Sequence, residues 1–129
     1  MSSLPAVLVV DDEPGVCRTM SRVLNEAGYR VYSAHCGEEA LVIACQLGER
    51  LGLVVTDIRM PTMDGVELAS YLARLEPPPR LLFVSAIDRL PKDRLPGPLL
   101  LKPFRADHLQ RHVERMLGPA RAPSLPAAG

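Results

Sequence analysis

Short apolar runs alternate along this chain with segments in which apolar residues recur at helical spacing. The apolar runs cover residues 6–10, 30–34, 53–57, 80–85 and 98–101. Runs of this length predict strands, and the segments between them have the period of helices. Strands that alternate with helices are typical of an α/β fold with a parallel sheet. The run at 30–34 is the least apolar, which predicts a strand at the edge of that sheet.

Turn-forming residues bound the predicted helices. Pro14 suits the first turn of a helix that ends before Gly28, and Asp64 suits the N-cap of the third helix. That third helix has to end before Pro77–Pro79, because three prolines cannot continue it. The remaining two helices are predicted at Gly37–Gly48 and Phe104–Leu117.

The segment between the fourth and fifth strands is short for this pattern. Two parallel strands need a crossover of about a dozen residues or more, which is usually a helix. Residues 86–97 contain Pro91, Pro96 and Gly97, which interrupt a helix. We therefore predict a short or irregular fourth helix.

The length of the chain, 129 residues, fits one domain with a substantial core. We predict that this domain covers residues 1–118. Residues 119–129 are rich in Pro and Ala and carry no core pattern, so we predict a flexible tail or linker there.

The charge balance excludes some function classes. Fifteen Lys and Arg side chains are matched by 15 Asp and Glu side chains, so the net charge is near zero. Nucleic-acid binding by bulk charge needs a basic surplus, and we therefore expect no nucleic-acid partner for this domain. No apolar stretch approaches the ~20 residues of a membrane span, and no signal peptide is visible. These features predict a cytoplasmic protein without a membrane partner.

Polar residues stand at the ends of four predicted strands: Asp11 and Asp12, Asp57, Ser85, and Lys102. With right-handed crossovers and strand order 2-1-3-4-5, a doubly wound flavodoxin-like sheet, these ends meet at the edge where open α/β sheets bind ligands. Three carboxylates crowd together only if a cation joins them, and oxygen ligands select Mg²⁺ or Mn²⁺. An aspartate in such a site can attack phosphorus and hold an acyl phosphate.

Four motifs at these strand ends carry a resemblance to a known family. They are Val9–Glu13, Thr56–Gly65, Ser85–Ala86 and Lys102–Phe104. In this order they resemble the signature of two-component response-regulator receiver domains, and the resemblance covers residues from about 4 to 118.

The resemblance implies phosphoryl chemistry at the sheet edge. Asp57 would be the phosphoacceptor, and Ser85 and Lys102 would contact the phosphoryl group. The Lys102–Pro103 peptide bond would be cis. The domain would not be an enzyme in the usual sense, because it would assist only its own phosphorylation and dephosphorylation.

The resemblance also implies the metal ligands and the partners. Asp12 and Asp57 would bind Mg²⁺ or Mn²⁺ directly, Asp11 through water, and Arg59 through its backbone carbonyl. The phosphoryl donor would be a phosphohistidine on a sensor histidine kinase or a phosphotransfer protein. The signal would pass to an unknown downstream protein, and a homodimer is possible in this family.

Two features depart from the family pattern. Receivers usually have Tyr or Phe three residues before the lysine, where this chain has Leu99. The segment from Ser85 to Lys102 is also several residues shorter than is usual in the family. Both departures fall on the surface that receivers use to signal.

Other interpretations stay open at this point. The two departures would also fit a constitutive interaction module that is uncoupled from phosphorylation. A phosphatase of the haloacid-dehalogenase type would use Asp-x-Asp after the first strand, whereas Asp11 and Asp12 are adjacent. Taken alone, Asp12 or Glu13 is also suited to capping the first helix.

Overall fold

The fold is built on a sheet of five parallel strands, seen in a computed structural model that describes residues 5–86 and 95–120. The strands are β1 (Ala6–Val10), β2 (Arg30–Ala34), β3 (Leu51–Asp57), β4 (Arg80–Ala86) and β5 (Leu99–Lys102). Their order in the sheet is β2-β1-β3-β4-β5, and every neighbouring pair is parallel. The predicted class, strand number and strand order are confirmed, and β2 lies at the edge.

Four helices lie among the described residues: α1 (Pro14–Glu26), α2 (Gly37–Leu47), α3 (Gly65–Leu72) and α4 (Ala106–Leu117). A 3₁₀ turn at Gly48–Arg50 leads from α2 into β3. The predicted fourth helix between β4 and β5 falls mostly on residues 87–94, which lie outside the described residues. Most of the predicted tail, residues 121–129, lies outside them as well.

The bounds of several elements differ from the predicted ones. The last helix begins at Ala106 instead of Phe104, because Arg105 has extended backbone angles of φ −89° and ψ 152°. The third helix ends at Leu72, and the turn after it is tightened by a bond from the N–H of Leu75 to the carbonyl of Leu72, 3.1 Å long. Helix-period sequence patterns do not distinguish these tighter turns from a regular helix end.

Helices cover both faces of the sheet, and the core therefore has two layers. Every residue of β1 is buried. Val7 packs on one face in a cluster with Met20 of α1 and Leu109 of α4. Leu8 packs on the opposite face in a cluster with Leu68 of α3. A strand buried on both sides needs a continuous apolar run, which is why β1 and β3 have the clearest sequence signals.

The ends of the domain are held by specific contacts. Ala120 is buried in the cluster on the α1 and α4 face, so ordered packing continues beyond residue 118. Tyr29 donates a hydrogen bond from its hydroxyl to the carbonyl of Gly118, 2.7 Å long. Within the described residues, no helix is long and apolar enough to span a membrane.

The helix caps follow the sequence with one exception. Asp64 accepts a hydrogen bond from the N–H of Glu67, whose side chain accepts one from the N–H of Asp64, so the predicted cap is a complete capping box. Gly28 has the positive φ, 104°, that a residue after a helix end often needs. Glu13 holds the N-cap position of α1 but makes no capping hydrogen bond. Capping of this helix by the Glu13 side chain is therefore the wrong interpretation.

Gly65 lies where α3 meets the end of β3, and it has no room for a side chain. A Cβ at this position would collide with the carbonyl oxygen of Asp57. The N–H of Gly65 donates to the carbonyl of Ile58 over 2.8 Å, which holds the two backbones together. The glycine thus fixes the backbone that carries Asp57.

We expect Gly65→Ala to destabilise the domain by about 2 kcal/mol, because the backbone has to shift to relieve the overlap. Urea unfolding measures this change. The matched control is Gly15→Ala in α1, where an added Cβ meets no atom of the described part of the chain within 4 Å. This control should be neutral or slightly stabilising, and equal losses in the two variants would contradict the assignment.

Candidate functional site

The carboxylates of the site lie at the ends of two neighbouring strands. Asp11 follows β1, and Asp57 is the last residue of β3. The two strands pair in parallel with Val10 opposite Thr56, so the two aspartates stand side by side. One oxygen from each of Asp11, Asp12 and Asp57 lies within 4.8 Å of the others. Such a set of hard oxygen atoms matches the ligands that Mg²⁺ and Mn²⁺ prefer.

Lys102 connects these carboxylates from the far edge of the sheet. It ends β5, and its Nζ atom lies 3.0 Å from Oδ2 of Asp11 and 3.5 Å from Oδ2 of Asp57. Its third carboxylate neighbour is Glu13, at 3.8 Å from Oε1. The Lys102 side chain is only 19% exposed, so these contacts are partly shielded from solvent.

Burial and charge shift the pKa values of two groups here. Burial raises the pKa of Asp57 above its usual range, and the neighbouring charge of Asp11 adds to the rise, while Lys102 opposes it. Burial acts to lower the pKa of Lys102, but the hydrogen bond and charge of Asp11, together with the charges of Asp57 and Glu13, outweigh it and raise that pKa. Lys102 therefore stays protonated, and Asp57 ionises less readily than a free aspartate.

The Asp11 side chain is already engaged within the protein. It is fully buried, and its Oδ1 accepts a hydrogen bond of 2.9 Å from the N–H of Glu13. Its Oδ2 accepts the hydrogen bond from Lys102. Its own N–H donates to the carbonyl of Ala34 over 3.2 Å, which ties it to β2. Both carboxylate oxygens of Asp11 thus have partners.

Asp57 opens onto a cavity of about 330 Å³. The residues that line it are Asp12, Glu13, Asp57, Arg59, Ala86 and Lys102. Asp57 is 7% exposed, whereas Arg59, two residues later, is exposed. The backbone between them is fixed, because the N–H of Ile58 donates to the carbonyl of Val84 over 3.1 Å. The Asp57 carboxylate is therefore held by a fixed backbone but is reachable from solvent.

Ser85 takes a less direct position than the other predicted site residues. It is fully buried in β4, directly after Val84, which pairs with Asp57. Its hydroxyl donates a hydrogen bond of 3.1 Å to the carbonyl of Ala86. Ser85 does not line the cavity, although Ala86 does.

Sequence reasoning missed Glu13 as part of the site. Its carboxylate lines the cavity and approaches Lys102. The signal that could have found it is its position directly after the aspartate pair. The predicted cis Lys102–Pro103 bond is confirmed, and Glu76–Pro77 is a second cis bond that the sequence did not indicate.

An apolar groove of about 510 Å³ adjoins this site. It lies between the start of α1 and the segment after β5, with Gly15, Val16, Thr19, Pro103 and Phe104 among its lining residues. Ala86 and Lys102 line both the groove and the Asp57 cavity. A partner seated in the groove would therefore lie directly beside Asp57.

Comparison with known proteins points to one family. Residues 7–95 match the family model described as the response regulator receiver domain. The chain is 37% identical to the sensor kinase CckA of Brucella abortus (strain 2308), over 91% of this chain but only 13% of that kinase. It is 30% identical to sporulation initiation phosphotransferase F of Bacillus subtilis (strain 168), over 86% of this chain and 92% of that protein.

Solved structures give the same match at the level of the fold. The crystal structure of the receiver domain from the hybrid histidine kinase CckA superposes with a TM-score of 0.77 at 29% identity. The match covers 87% of this chain and 98% of that domain. The shared region thus includes nearly the whole described part of this chain.

We expect Asp57→Asn to stabilise the metal-free domain by about 1 kcal/mol at neutral pH, because it removes one of three clustered like charges. The folded-state pKa of Asp57 is raised, so the stability from this group is present at low pH and lost as pH rises through that pKa. The gain from the substitution should therefore shrink on acidification. Urea unfolding in chelator at several pH values measures it.

Asp107→Asn is the control, because the pKa shift of Asp107 is opposite in sign to that of Asp57. A hydrogen bond from Arg105 lowers the pKa of this exposed carboxyl, so its small stabilising effect is present at neutral pH and lost as pH falls. This variant should be neutral or slightly less stable than the wild type at neutral pH. A loss of stability in Asp57→Asn would contradict the electrostatic account of the site.

Proposed function

Because the chain belongs to the response regulator receiver domain family, we propose that it accepts a phosphoryl group on Asp57 in two-component signalling. The observation that carries this proposal is the contact of Lys102 Nζ with Asp57 at 3.5 Å, at the mouth of an open acidic cavity. It combines an accessible carboxylate nucleophile with a cation for the charge that arrives on the phosphoryl oxygens. The signal then passes to a downstream protein through surface contacts.

The three carboxylates would have different roles in binding a metal ion. Asp11 already accepts hydrogen bonds from Lys102 and from the N–H of Glu13, which favours a contact with the metal through water. Asp12 and Asp57 would be the direct ligands, with the carbonyl of Arg59 as the third protein ligand. Bound Mg²⁺ or Mn²⁺ would neutralise negative charge on Asp57 and on the phosphoryl group. The all-oxygen donor set, within 4.8 Å, fits this cation.

The transfer step uses Asp57 as a nucleophile. A carboxylate oxygen attacks the phosphorus of a phosphohistidine, a new P–O bond forms, and the P–N bond breaks. The imidazole leaves and keeps the electron pair of the broken bond, and a proton from solvent restores its neutral form. Lys102 stabilises the negative charge on the phosphoryl oxygens. Ser85 donates a hydrogen bond to one of these oxygens once its hydroxyl turns away from the carbonyl of Ala86.

Loss of the phosphoryl group follows the same geometry. Water attacks the phosphorus of the acyl phosphate in the open cavity. Inorganic phosphate departs, and the Asp57 side chain is again a carboxylate. The protein thus assists its own phosphorylation and dephosphorylation and turns over no separate substrate. Family members are signalling modules, and this behaviour agrees with that role.

The donor is a phosphohistidine on a sensor kinase or a phosphotransfer protein. The apolar groove beside Lys102 supports this assignment, because Val16, Thr19 and Phe104 offer a docking surface next to the acceptor. A small acyl phosphate needs no such surface, whereas a protein donor must be held with its histidine over Asp57. Its imidazole would enter past Ala86, which has the smallest side chain between groove and cavity.

Intact-protein mass spectrometry after incubation with a small acyl phosphate and Mg²⁺ tests the proposal. We expect a single added phosphoryl group in the wild type, and none in Asp57→Asn or with chelator. Asp64→Asn is the matched control, since Asp64 caps α3 and asparagine caps equally well. This variant should be phosphorylated like the wild type.

A cognate or promiscuous histidine kinase provides the second arm of this test. Phosphorylation that persists in Asp57→Asn would move the acceptor to another residue. No added mass from either donor in the wild type would overturn the proposed phosphoacceptor function.

Metal binding is tested by its effect on stability. At a free concentration of ten times its dissociation constant, Mg²⁺ should stabilise the wild type by about 1.4 kcal/mol. We expect Asp12→Asn to lose most of this gain, because it removes a direct ligand. Thermal unfolding with and without Mg²⁺ measures it. Asp107→Asn should respond like the wild type, and a full Mg²⁺ response in Asp12→Asn would exclude Asp12 as a ligand.

A further inference from the structure

A second groove lies on the other side of α1, between this helix and the edge strand β2. Its cavity has a volume of about 670 Å³, which is in the range of small-molecule sites. The residues used below line it: Arg18, Ser21, Arg22, Glu26, Ser33 and His35. None of them belongs to the Asp57 cavity or to the apolar groove.

Two arginines give part of the groove a positive charge. Arg18 and Arg22 are one helical turn apart on α1, and both are exposed. Neither forms an ion pair with any residue in the part of the chain that the structure describes. A guanidinium is charged at every physiological pH and binds phosphate oxygens with two parallel hydrogen bonds. Two such groups on one face match a doubly charged phosphate.

The groove has a cationic end and an acidic end. The thiol of Cys17 lies 3.9 Å from the carbonyl of Val9 and 3.8 Å from that of Ala34, which sets the start of α1 over the carboxyl ends of β1 and β2. Arg18 and His35 therefore lie at that end, and Glu26 lies at the other. A ligand with a phosphate at one end and a hydroxyl or amino group at the other fits this polarity.

Ser21 supplies an independent observation. Its hydroxyl oxygen is buried and has no hydrogen-bond partner among the described residues. Buried hydroxyl groups in folded proteins nearly always have one. Rotation of the side chain to another staggered conformation would turn the hydroxyl into the groove, where a ligand oxygen could accept its hydrogen bond. Ser21 thus offers the groove, after this rotation, a donor that no described residue uses.

We propose that the groove between α1 and β2 is a second ligand site, which binds a small organic phosphate monoester through Arg18 and Arg22. This site goes beyond phosphoacceptor chemistry, because it includes neither Asp57 nor a metal ligand. Its occupant is a free small molecule whose phosphate stays intact.

The test is a titration of the ¹⁵N-labelled full chain in chelator, followed by amide chemical shifts. The probes are inorganic phosphate, ribose 5-phosphate and adenosine 5′-monophosphate, with adenosine as the uncharged counterpart. We expect saturable shifts at residues 18–22 and 33–35 with the two monoesters, weaker shifts with inorganic phosphate, and none with adenosine. Arg18→Gln with Arg22→Gln should weaken monoester binding by about tenfold or more.

Two further variants complete the design. Arg115→Gln removes an exposed arginine from the last turn of α4 and should leave binding unchanged. Ser21→Ala keeps the helix and should weaken binding by a few-fold. Phosphorylation of Asp57 by a small donor should be the same in the double arginine variant, so a failure of this proposal is distinguishable from a failure of the phosphoacceptor proposal.

Three results would overturn the second site. One is the absence of shifts at residues 18–22 and 33–35 with all three phosphates. Another is a set of shifts confined to residues around Asp57 and Lys102. The last is equal affinity in the wild type and the double arginine variant, which would show that the arginines do not hold the phosphate.

Discussion

The strand-end site depends on the contacts that the ammonium group of Lys102 makes with Asp11 and Asp57. Asp11 and Asp57 are both buried and stand side by side, so their charges repel where solvent screens them little. Lys102 reaches both from β5, two strands away from β3, and offsets that repulsion. The packing of β5 on β4, through buried Leu100, is therefore as much a part of the site as the carboxylates.

Helix α1 joins the separate parts of the molecule. Its buried stripe, which includes Met20 and Leu24, fills the core on one face of the sheet. Its first turns line the apolar groove beside Lys102 through Val16 and Thr19. A different face, with Arg18, lines the groove toward β2. Three faces of one helix thus serve stability, the proposed docking of a phosphodonor and the proposed ligand site.

The sequence predicted the strand order and the gathering of Asp11, Asp57 and Lys102, because buried parallel strands are long apolar runs and their polar ends are easy to locate. It could not predict the approach of Glu13 to Lys102 or the hydrogen bond from Ser85 to Ala86, since side-chain rotamers are set by packing. The groove between α1 and β2 was also missed, because the hydrophobic periodicity of a sequence does not predict where two packed elements leave a groove between them.

The bond between Lys102 and Asp11 joins residues 91 positions apart in the chain. A ribosome releases the chain from its N-terminus, so all three clustered aspartates emerge long before their lysine. The sequence through β3 contains no lysine at all. A product that stopped before β5 would carry all three aspartates without the lysine that offsets their repulsion. The strand-end site is thus complete only once the chain has been made through β5.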